Sequence, residues 1–121
     1  MPVTDHAHNI ADLRLQARKR LPRGLFEYVD RGTEEEVSLR NNRRAFDDIR
    51  LLPQPLVDIS NRSTKVDLFG RTYAAPIGVA PTGLAGMLWF QGEYALARAA
   101  AEAGLPFALS TASIAPLEEV I

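Results

Sequence analysis

Apolar residues at helical spacing, set among charged ones, dominate the first fifty residues of the chain. Ile10, Leu13, Ala17 and Leu21 lie three or four positions apart, which predicts one amphipathic helix. Asn9 comes just before this stripe and is a residue type whose side-chain oxygen caps helix N-termini. The hydrophobic pattern therefore predicts a helical start to the chain.

Two shorter helices are predicted to follow. Pro22 suits the first turn of a helix whose buried face is formed by Leu25, Phe26 and Val29. This helix is predicted to end where Gly32 takes a left-handed conformation. Thr33 and Glu36 have the spacing of a capping box, which predicts the start of a third helix that reaches about residue 42.

A proline-containing connector and a small hairpin come next. Pro53 and Pro55 lack amide donors, so residues 51–63 are not expected to form a central strand. In residues 64–68, Val66 and Leu68 alternate with polar side chains, and residues 71–73 follow after Phe69-Gly70. This pattern predicts an antiparallel hairpin.

From Pro76 onward the chain reads as strand, loop, helix, and then strand again. Residues 77–80 and 107–109 are short apolar runs without polar alternation, as in strands buried on both faces of a parallel sheet. A helix is predicted over residues 91–103, closed by Gly104, and another from about Pro116. This order predicts the α/β class, as the start of either a barrel or a doubly wound sheet.

Polar or small residues follow both predicted strands. Ala80-Pro81-Thr82-Gly83 lies at the end of the first strand and Ser110-Thr111 at the end of the second, so both motifs are expected on one rim if the strands are neighbours. Gly83 lets a backbone amide approach a flat ligand, and the Ser110 hydroxyl offers a hydrogen bond. Ordinary turn and capping roles account for the same residue types, and their spacing alone leaves both interpretations open.

Two nucleotide-binding motifs are not completed in this region. Gly78 and Gly83 have the outer spacing of a phosphate loop, but Leu84 and Ala85 stand where Lys and then Ser or Thr are required. Gly83 and Gly86 likewise do not complete a G-x-G-x-x-G fingerprint. The sequence therefore gives no support to a nicotinamide site here.

Composition narrows the classes of function. The chain has 14 basic and 15 acidic side chains, a net charge of -1 and no cysteine, so no nucleic-acid partner and no cysteine chemistry are predicted. His6 and His8 lie in a polar leader without an evident third ligand, so no metal site is predicted. No segment is apolar enough to span a bilayer and the leader lacks a secretion signal, so a cytoplasmic location is expected.

Tyr28 lies on the second predicted helix, one position away from its most apolar stripe. A half-buried tyrosine that packs beside Phe26 is compatible with this position. A phenol that points into a pocket and binds an acid is compatible with it as well.

Short motifs in a fixed order extend from about Asn9 to Ile121, nearly the whole chain. In chain order they are Leu21-Pro22, Phe26-Glu27-Tyr28, Leu39-Arg40-Asn41-Asn42-Arg43, residues 53–58, Phe69-Gly70, Pro76, Ala80-Pro81-Thr82-Gly83 with Leu84 and Gly86, Gly92-Glu93, Ala97-Arg98-Ala99-Ala100, residues 109–113 and Glu118-Glu119. This series resembles the FMN-dependent L-2-hydroxy acid dehydrogenases and oxidases. That family includes lactate and mandelate dehydrogenases and glycolate oxidase.

The resemblance implies a TIM barrel, the (β/α)8 fold, with FMN bound at its carboxyl rim. The chain then corresponds to the N-terminal portion of the barrel, preceded by a helical segment and a small β-hairpin. Residues 1–63 are expected to form the helical segment and connector, residues 64–75 the hairpin, and residues 76–121 the first two βα units.

The resemblance also implies roles for individual residues. The backbone of Ala80-Pro81-Thr82-Gly83 is expected to border the isoalloxazine ring of FMN, and Ser110 is expected to contact the flavin as well. Tyr28 matches the tyrosine that hydrogen-bonds the carboxylate of the substrate. Substrate binding is thus assigned to Tyr28, and cofactor binding to Ala80, Pro81, Thr82, Gly83 and Ser110.

The activity implied by the resemblance is oxidation of an L-2-hydroxy acid, such as lactate or mandelate, to the 2-oxo acid. Gly83 stands where the oxidases often have alanine. With Leu84 and Gly86 it is more similar to the dehydrogenases, which pass electrons to a quinone or cytochrome instead of oxygen. For the complete protein, a homo-oligomer (a tetramer) and a peripheral position on the inner membrane are compatible with the family.

Length is where this sequence departs from the family. The catalytic histidine, the arginine that binds the carboxylate and the lysine near the flavin all correspond to positions beyond Ile121. No catalytic residue is therefore predicted within this chain, which is expected to be inactive alone and to need the remainder of the barrel, as a second chain for instance. The alternative is a non-catalytic truncated module that associates with a partner chain through an open sheet edge.

Overall fold

The computed structural model describes residues 7–120, which belong to two compact units. One unit ends at Leu56 and the other begins at Val57, inside the proline-containing connector. Within residues 7–120, no helix combines the length and the apolar character needed to cross a membrane.

The first helix forms where the sequence predicts it and carries the predicted cap. α1 spans Ile10–Arg20, and Asn9 Oδ1 accepts the backbone N–H of Asp12 at 2.9 Å. The Asp12 carboxylate in turn accepts the N–H of His8 at 2.9 Å. This reciprocal arrangement satisfies two amides that the helix cannot satisfy itself.

The second helix packs against the first through an ion pair and one aromatic ring. α2 spans Arg23–Asp30. The Arg14 guanidinium binds both carboxylate oxygens of Asp30, with 2.7 Å between Nη2 and Oδ2. The same guanidinium lies 5.9 Å from the centre of the Phe26 ring. Phe26 is buried, as predicted, and is the apolar centre of this helix pair. Leu25 is half-buried, whereas Val29 is 55% exposed, so its predicted burial is wrong.

The junction between the second and third helices differs from the prediction. Gly32 does not take a positive φ, and a Cβ at this position would lie 3.0 Å from Leu39 Cβ. Close packing is therefore the structural reason for glycine here. α3 spans Val37–Asp47, longer than predicted, and Glu36 precedes it in the left-handed conformation without a side-chain cap. The predicted capping box of Thr33 and Glu36 is wrong, because the Glu36 carboxylate accepts the N–H of Gly32 instead, at 3.2 Å.

The predicted hairpin opens the regular structure of the second unit. β1 spans Val66–Leu68 and β2 spans Arg71–Tyr73, and the two strands pair antiparallel. Phe69 and Gly70 both have positive φ, at 53° and 74°. Two such residues form the type of tight turn that matches the twist of a hairpin.

Two segments lie side by side and parallel where buried strands are predicted. A single parallel bridge pairs Val79 with Phe107. The Val79 N–H donates to Pro106 O at 2.9 Å, and the Ala108 N–H donates to Val79 O at 3.1 Å. The expected full strands do not form, because Pro106 has no N–H and the described residues offer each segment one neighbour. Burial on both faces is not found either, since Ile77 is 63% exposed.

Three helices complete the second unit. α4 spans Ala85–Leu88, within a region predicted as a loop, while α5 spans Gly92–Glu102 and α6 spans Leu117–Val120, both where helices are predicted. Gly104 has a φ of 65°, and its N–H and that of Leu105 donate back to helix carbonyls at 3.0 and 2.8 Å. The predicted glycine stop at the end of α5 is therefore confirmed.

Candidate functional site

The loops that follow the two parallel segments bring Gly83 and Ser110 together. An ideal Cβ added to Gly83 would lie 3.7 Å from Ser110 Oγ and 3.3 Å from Ala112 Cβ. The N–H of Leu84 donates to Ala112 O at 3.1 Å and joins the two loops directly. We refer to residues 80–88 as the first rim loop and to residues 110–116 as the second rim loop.

The hydrogen bonds within the rim loops leave particular donors available. Ser110 Oγ accepts the N–H of Ala112 at 3.1 Å, which leaves the hydroxyl hydrogen of Ser110 able to donate elsewhere. Among the described residues, the Gly83 amide donates to no backbone carbonyl. Thr82 differs, because its hydroxyl donates to Ala80 O at 3.3 Å and so stabilises its own turn.

The first rim loop is accessible and contains one strained residue. Ala80, Pro81 and Thr82 are exposed, and Gly83 is half-buried. Leu84 has a φ of 57°, a conformation that side chains other than glycine adopt at a cost of about 1–2 kcal/mol. Its N–H and C=O are both hydrogen-bonded, so the surrounding contacts hold this conformation.

Glu93 touches both rim loops, although the sequence pattern did not single it out as a site residue. It lies in the first turn of α5 and is only 2% exposed. Burial raises the pKa of its carboxyl group, but backbone N–H groups of Glu93, Gly86 and Ile114 outweigh that effect, so the pKa lies below its ordinary value. The available sequence signal was an acid just after a glycine at a helix start, and that pattern does not reveal burial.

The remaining predicted site residue, Tyr28, belongs to the first unit. It lies on α2 and is 69% exposed, so its phenol is open to solvent. The half-buried packing that was one interpretation of its sequence position is therefore not found. Gly83 and Ser110 belong to the second unit.

Metal ligands are not grouped in the part of the chain that the structure covers. Within residues 7–120, no three residues of the types His, Cys, Asp or Glu cluster as a metal site would require. His6, one of the two histidines considered for metal binding, lies outside the described residues.

Comparison with known proteins assigns the chain to a family. The sequence profile described as "FMN-dependent dehydrogenase" matches residues 17–121. The chain belongs to the FMN-dependent dehydrogenase family. The match includes Tyr28, both rim loops and Glu93.

Several FMN-dependent dehydrogenase relatives are similar over most of this chain. It is 41% identical over 118 residues to the (S)-mandelate dehydrogenase of Pseudomonas putida, covering 98% of this chain and 30% of the relative. It is 46% identical over 110 residues to the L-lactate dehydrogenase of Xanthomonas campestris pv. campestris (strain 8004), covering 91% and 28%. The chain thus spans less than a third of the length of these relatives.

The similarity extends to three-dimensional structure. A crystal structure described as that of the "monotopic membrane protein (S)-mandelate dehydrogenase" superposes with a TM-score of 0.88 at 42% identity. The match covers 95% of this chain and 31% of that one. The backbone described above is therefore that of an FMN-dependent dehydrogenase segment.

Proposed function

We propose that this chain supplies part of the FMN site of an enzyme that oxidises an L-2-hydroxy acid to the 2-oxo acid. The observation that carries the proposal is the adjacency of Gly83 and Ser110 at the ends of two parallel segments. Family membership identifies the class of cofactor. Lactate or mandelate is the kind of substrate proposed, since the similar relatives are a mandelate and a lactate dehydrogenase.

The rim loops fit the edge of a flavin ring. A Cβ at Gly83 would occupy the surface beside Ser110 Oγ and Ala112 Cβ, so its absence leaves room for a flat group to approach. The Gly83 amide and the Ser110 hydroxyl are free to donate, and the ring carries nitrogen and oxygen acceptors. Ala80, Pro81 and Thr82 line the same accessible loop.

When bound, FMN supplies the two-electron acceptor chemistry of the reaction. The residues of this chain have other tasks in the proposed function. Gly83 and Ser110 hold the orientation of the ring by donating hydrogen bonds, and the Thr82 hydroxyl fixes the shape of the loop through Ala80 O. Well-placed donors of this kind require no rearrangement when substrate arrives.

Tyr28 is proposed to bind the substrate carboxylate. A phenol hydroxyl is a suitable donor to a carboxylate oxygen, and the exposure of Tyr28 keeps it accessible. The histidine that takes the substrate proton, together with the arginine and lysine of the family site, is proposed to come from polypeptide beyond residue 121.

For the complete protein, the proposed fold is a (β/α)8 barrel. Within this chain, residues 1–63 are proposed to form the helical segment and connector, residues 64–75 the hairpin, and residues 76–121 the first two βα units. The complete enzyme is proposed to be a tetramer that passes electrons to a quinone or cytochrome. The glycine at position 83 and the dehydrogenase relatives support the choice of acceptor. The monotopic membrane protein among the similar structures supports a cytoplasmic enzyme attached peripherally to the inner membrane.

A spliced enzyme tests this proposal. The chain would replace the aligned third of Pseudomonas putida (S)-mandelate dehydrogenase, with the unaltered relative as control. We expect the spliced enzyme to purify with FMN and to lose flavin absorbance when (S)-mandelate is added without an acceptor. Tyr28→Phe should lower kcat/KM for mandelate about tenfold, which corresponds to one lost hydrogen bond of about 1.4 kcal/mol.

A folded, oligomeric spliced enzyme that takes up no FMN would overturn the proposal. A spliced enzyme that binds FMN but is not reduced by any 2-hydroxy acid would overturn the assignment of substrate. The alternative, a non-catalytic module, predicts the first of these results together with a stable complex between the chain and another polypeptide.

A further inference from the structure

Glu93 is a charged side chain removed from water. Its exposed fraction is 2%, and it is the one charged residue that is buried within residues 7–120. Burial of a carboxylate is costly unless hydrogen bonds replace those of water. The contacts of Glu93 therefore need a structural explanation.

The carboxylate reaches two loops that are far apart in sequence. The backbone N–H groups of Gly86 in the first rim loop and of Ile114 in the second, besides its own, stabilise the charged form of the carboxylate. A Cβ added to Gly86 would lie 2.7 Å from Glu93 Oε2, so glycine at this position permits the approach of the carboxylate. A single side chain thus ties both rim loops to the start of α5.

One oxygen of this carboxylate has no hydrogen-bond donor within residues 7–120. Glu93 Oε1 is buried and has no hydrogen-bond partner among the described residues. An unmatched buried acceptor is destabilising, so the presence of a carboxylate here is better explained by its contacts with the two loops.

We propose that Glu93 is a positioning residue of the flavin site, which sets the spacing between the loop that carries Gly83 and the loop that carries Ser110. This inference rests on the proposed function. The hydrogen bond from the Leu84 N–H to Ala112 O joins the two loops next to Gly83. The Glu93 carboxylate provides a second connection between the loops, through Gly86 and Ile114. Glu93 is proposed to act on the flavin only through these loops.

The first experiment measures the contacts of the Glu93 carboxylate with the two rim loops, on the full chain and without flavin. Glu93→Gln removes the charge that strengthens these contacts and leaves one acceptor oxygen, so we expect amide hydrogen exchange at Gly86 and Ile114 to become at least tenfold faster. Glu102→Gln is the matched control, because it makes the same change in the same helix at an exposed position. It should leave both exchange rates unchanged.

The second experiment measures the response to FMN by following the amide signals of Gly83 and Ser110 during titration. We expect Glu93→Gln to weaken FMN binding at least fivefold and to change the Gly83 signal extrapolated to saturation. A loss of stability alone would lower the folded population but leave the saturated signal where it is. Equal affinities and equal saturated signals for the variant and the unaltered chain would overturn the inference.

Two further outcomes separate this inference from the proposed function. If FMN shifts the amide signals of neither Gly83 nor Ser110 in the unaltered chain, the proposed flavin binding is wrong. The hydrogen-exchange rates at Gly86 and Ile114 still show whether Glu93 connects the two loops. If Glu93→Gln does not fold, Glu93→Asp keeps the charge and withdraws it by one methylene. Unchanged exchange at Gly86 and Ile114 in Glu93→Asp would then overturn the inference.

Discussion

Gly92→Ala tests how tightly the start of α5 packs against α4. An ideal Cβ at Gly92 would lie 2.4 Å from the carbonyl oxygen of Ala85 and 2.7 Å from its carbonyl carbon. Ordinary contact begins at 3.4 Å, so the backbone must separate by about 1.0 Å (3.4 minus 2.4). Both clashing atoms belong to the backbone of a buried residue, so no side-chain rotation relieves them.

The expected cost combines three effects. Overpacking of this kind costs about 1–3 kcal/mol. The Ala85 carbonyl also accepts the Trp89 N–H at 3.1 Å, and distortion of that bond adds about 1 kcal/mol. Alanine offsets up to about 1 kcal/mol through its higher helix propensity. We therefore expect Gly92→Ala to lower the free energy of unfolding by about 1–4 kcal/mol.

Urea unfolding provides the assay. The chain has a single tryptophan, Trp89, which lies in the second unit near the substitution and reports on that unit by fluorescence. Gly24→Ala is the matched control, because no atom beyond the adjacent backbone of its own helix lies within 4 Å of a Cβ placed there. Followed by far-UV circular dichroism, it should stabilise α2 by up to about 1 kcal/mol. A Gly92→Ala variant as stable as the unaltered chain would refute the packing argument.

Three more predictions follow from hydrogen bonds in the structure. Asn9→Ala removes the acceptor for the Asp12 amide and should cost about 1 kcal/mol, seen as lost helicity by circular dichroism, whereas Asn9→Asp should not. The pKa of Glu93 is lowered on folding, so its stabilisation is present above the ordinary value of 4.5 and lost as pH falls below it. The difference in unfolding free energy between the unaltered chain and Glu93→Gln should therefore shrink on acidification, and a constant difference would contradict it. Tyr94 donates to Glu119 Oε2 at 2.6 Å, which raises the pKa of the phenol, so Glu119→Gln should move its ultraviolet titration to lower pH.

Elements fixed by neighbouring residues were predictable from the sequence. The Asn9 cap needs only a side chain and an amide three positions later, and the hairpin turn needs only Phe69-Gly70 between alternating strands. The Gly104 stop is equally local, because its amide bonds return to the last turn of the same helix. In each case the deciding contact lies within a few residues of the motif.

Features that depend on distant contacts were missed or misassigned. Gly32 was assigned to a left-handed stop, but packing against Leu39 is what requires a glycine there. The two predicted parallel strands of the second unit are reduced to one bridge, because a parallel strand is completed by neighbouring strands and not by its own apolar run. Helix α4 is too short for any periodicity to identify it.

The candidate site divides in the same way. The rule that parallel strands end on one rim was enough to predict that the residues after each strand would be neighbours, and Gly83 does lie beside Ser110. Glu93 could not be found by that rule, because its burial depends on Gly86 and Ile114 meeting it from both loops. The roles of Tyr28 and of the rim residues toward substrate and flavin remain predictions.

The connector between the two units has a consequence for how this protein can vary. Residues 51–63 form neither helix nor strand, and Leu51, Leu52 and Leu56 are 94%, 84% and 105% exposed. Lengthening such a stretch disturbs no hydrogen-bonded strand pair and no buried core. Each doubling of the length of a flexible loop raises the free energy of loop closure by only about 0.6 kcal/mol. Lengthening the chain at residues 59–63, outside the motif at residues 53–58, should therefore lower its stability less than lengthening either rim loop.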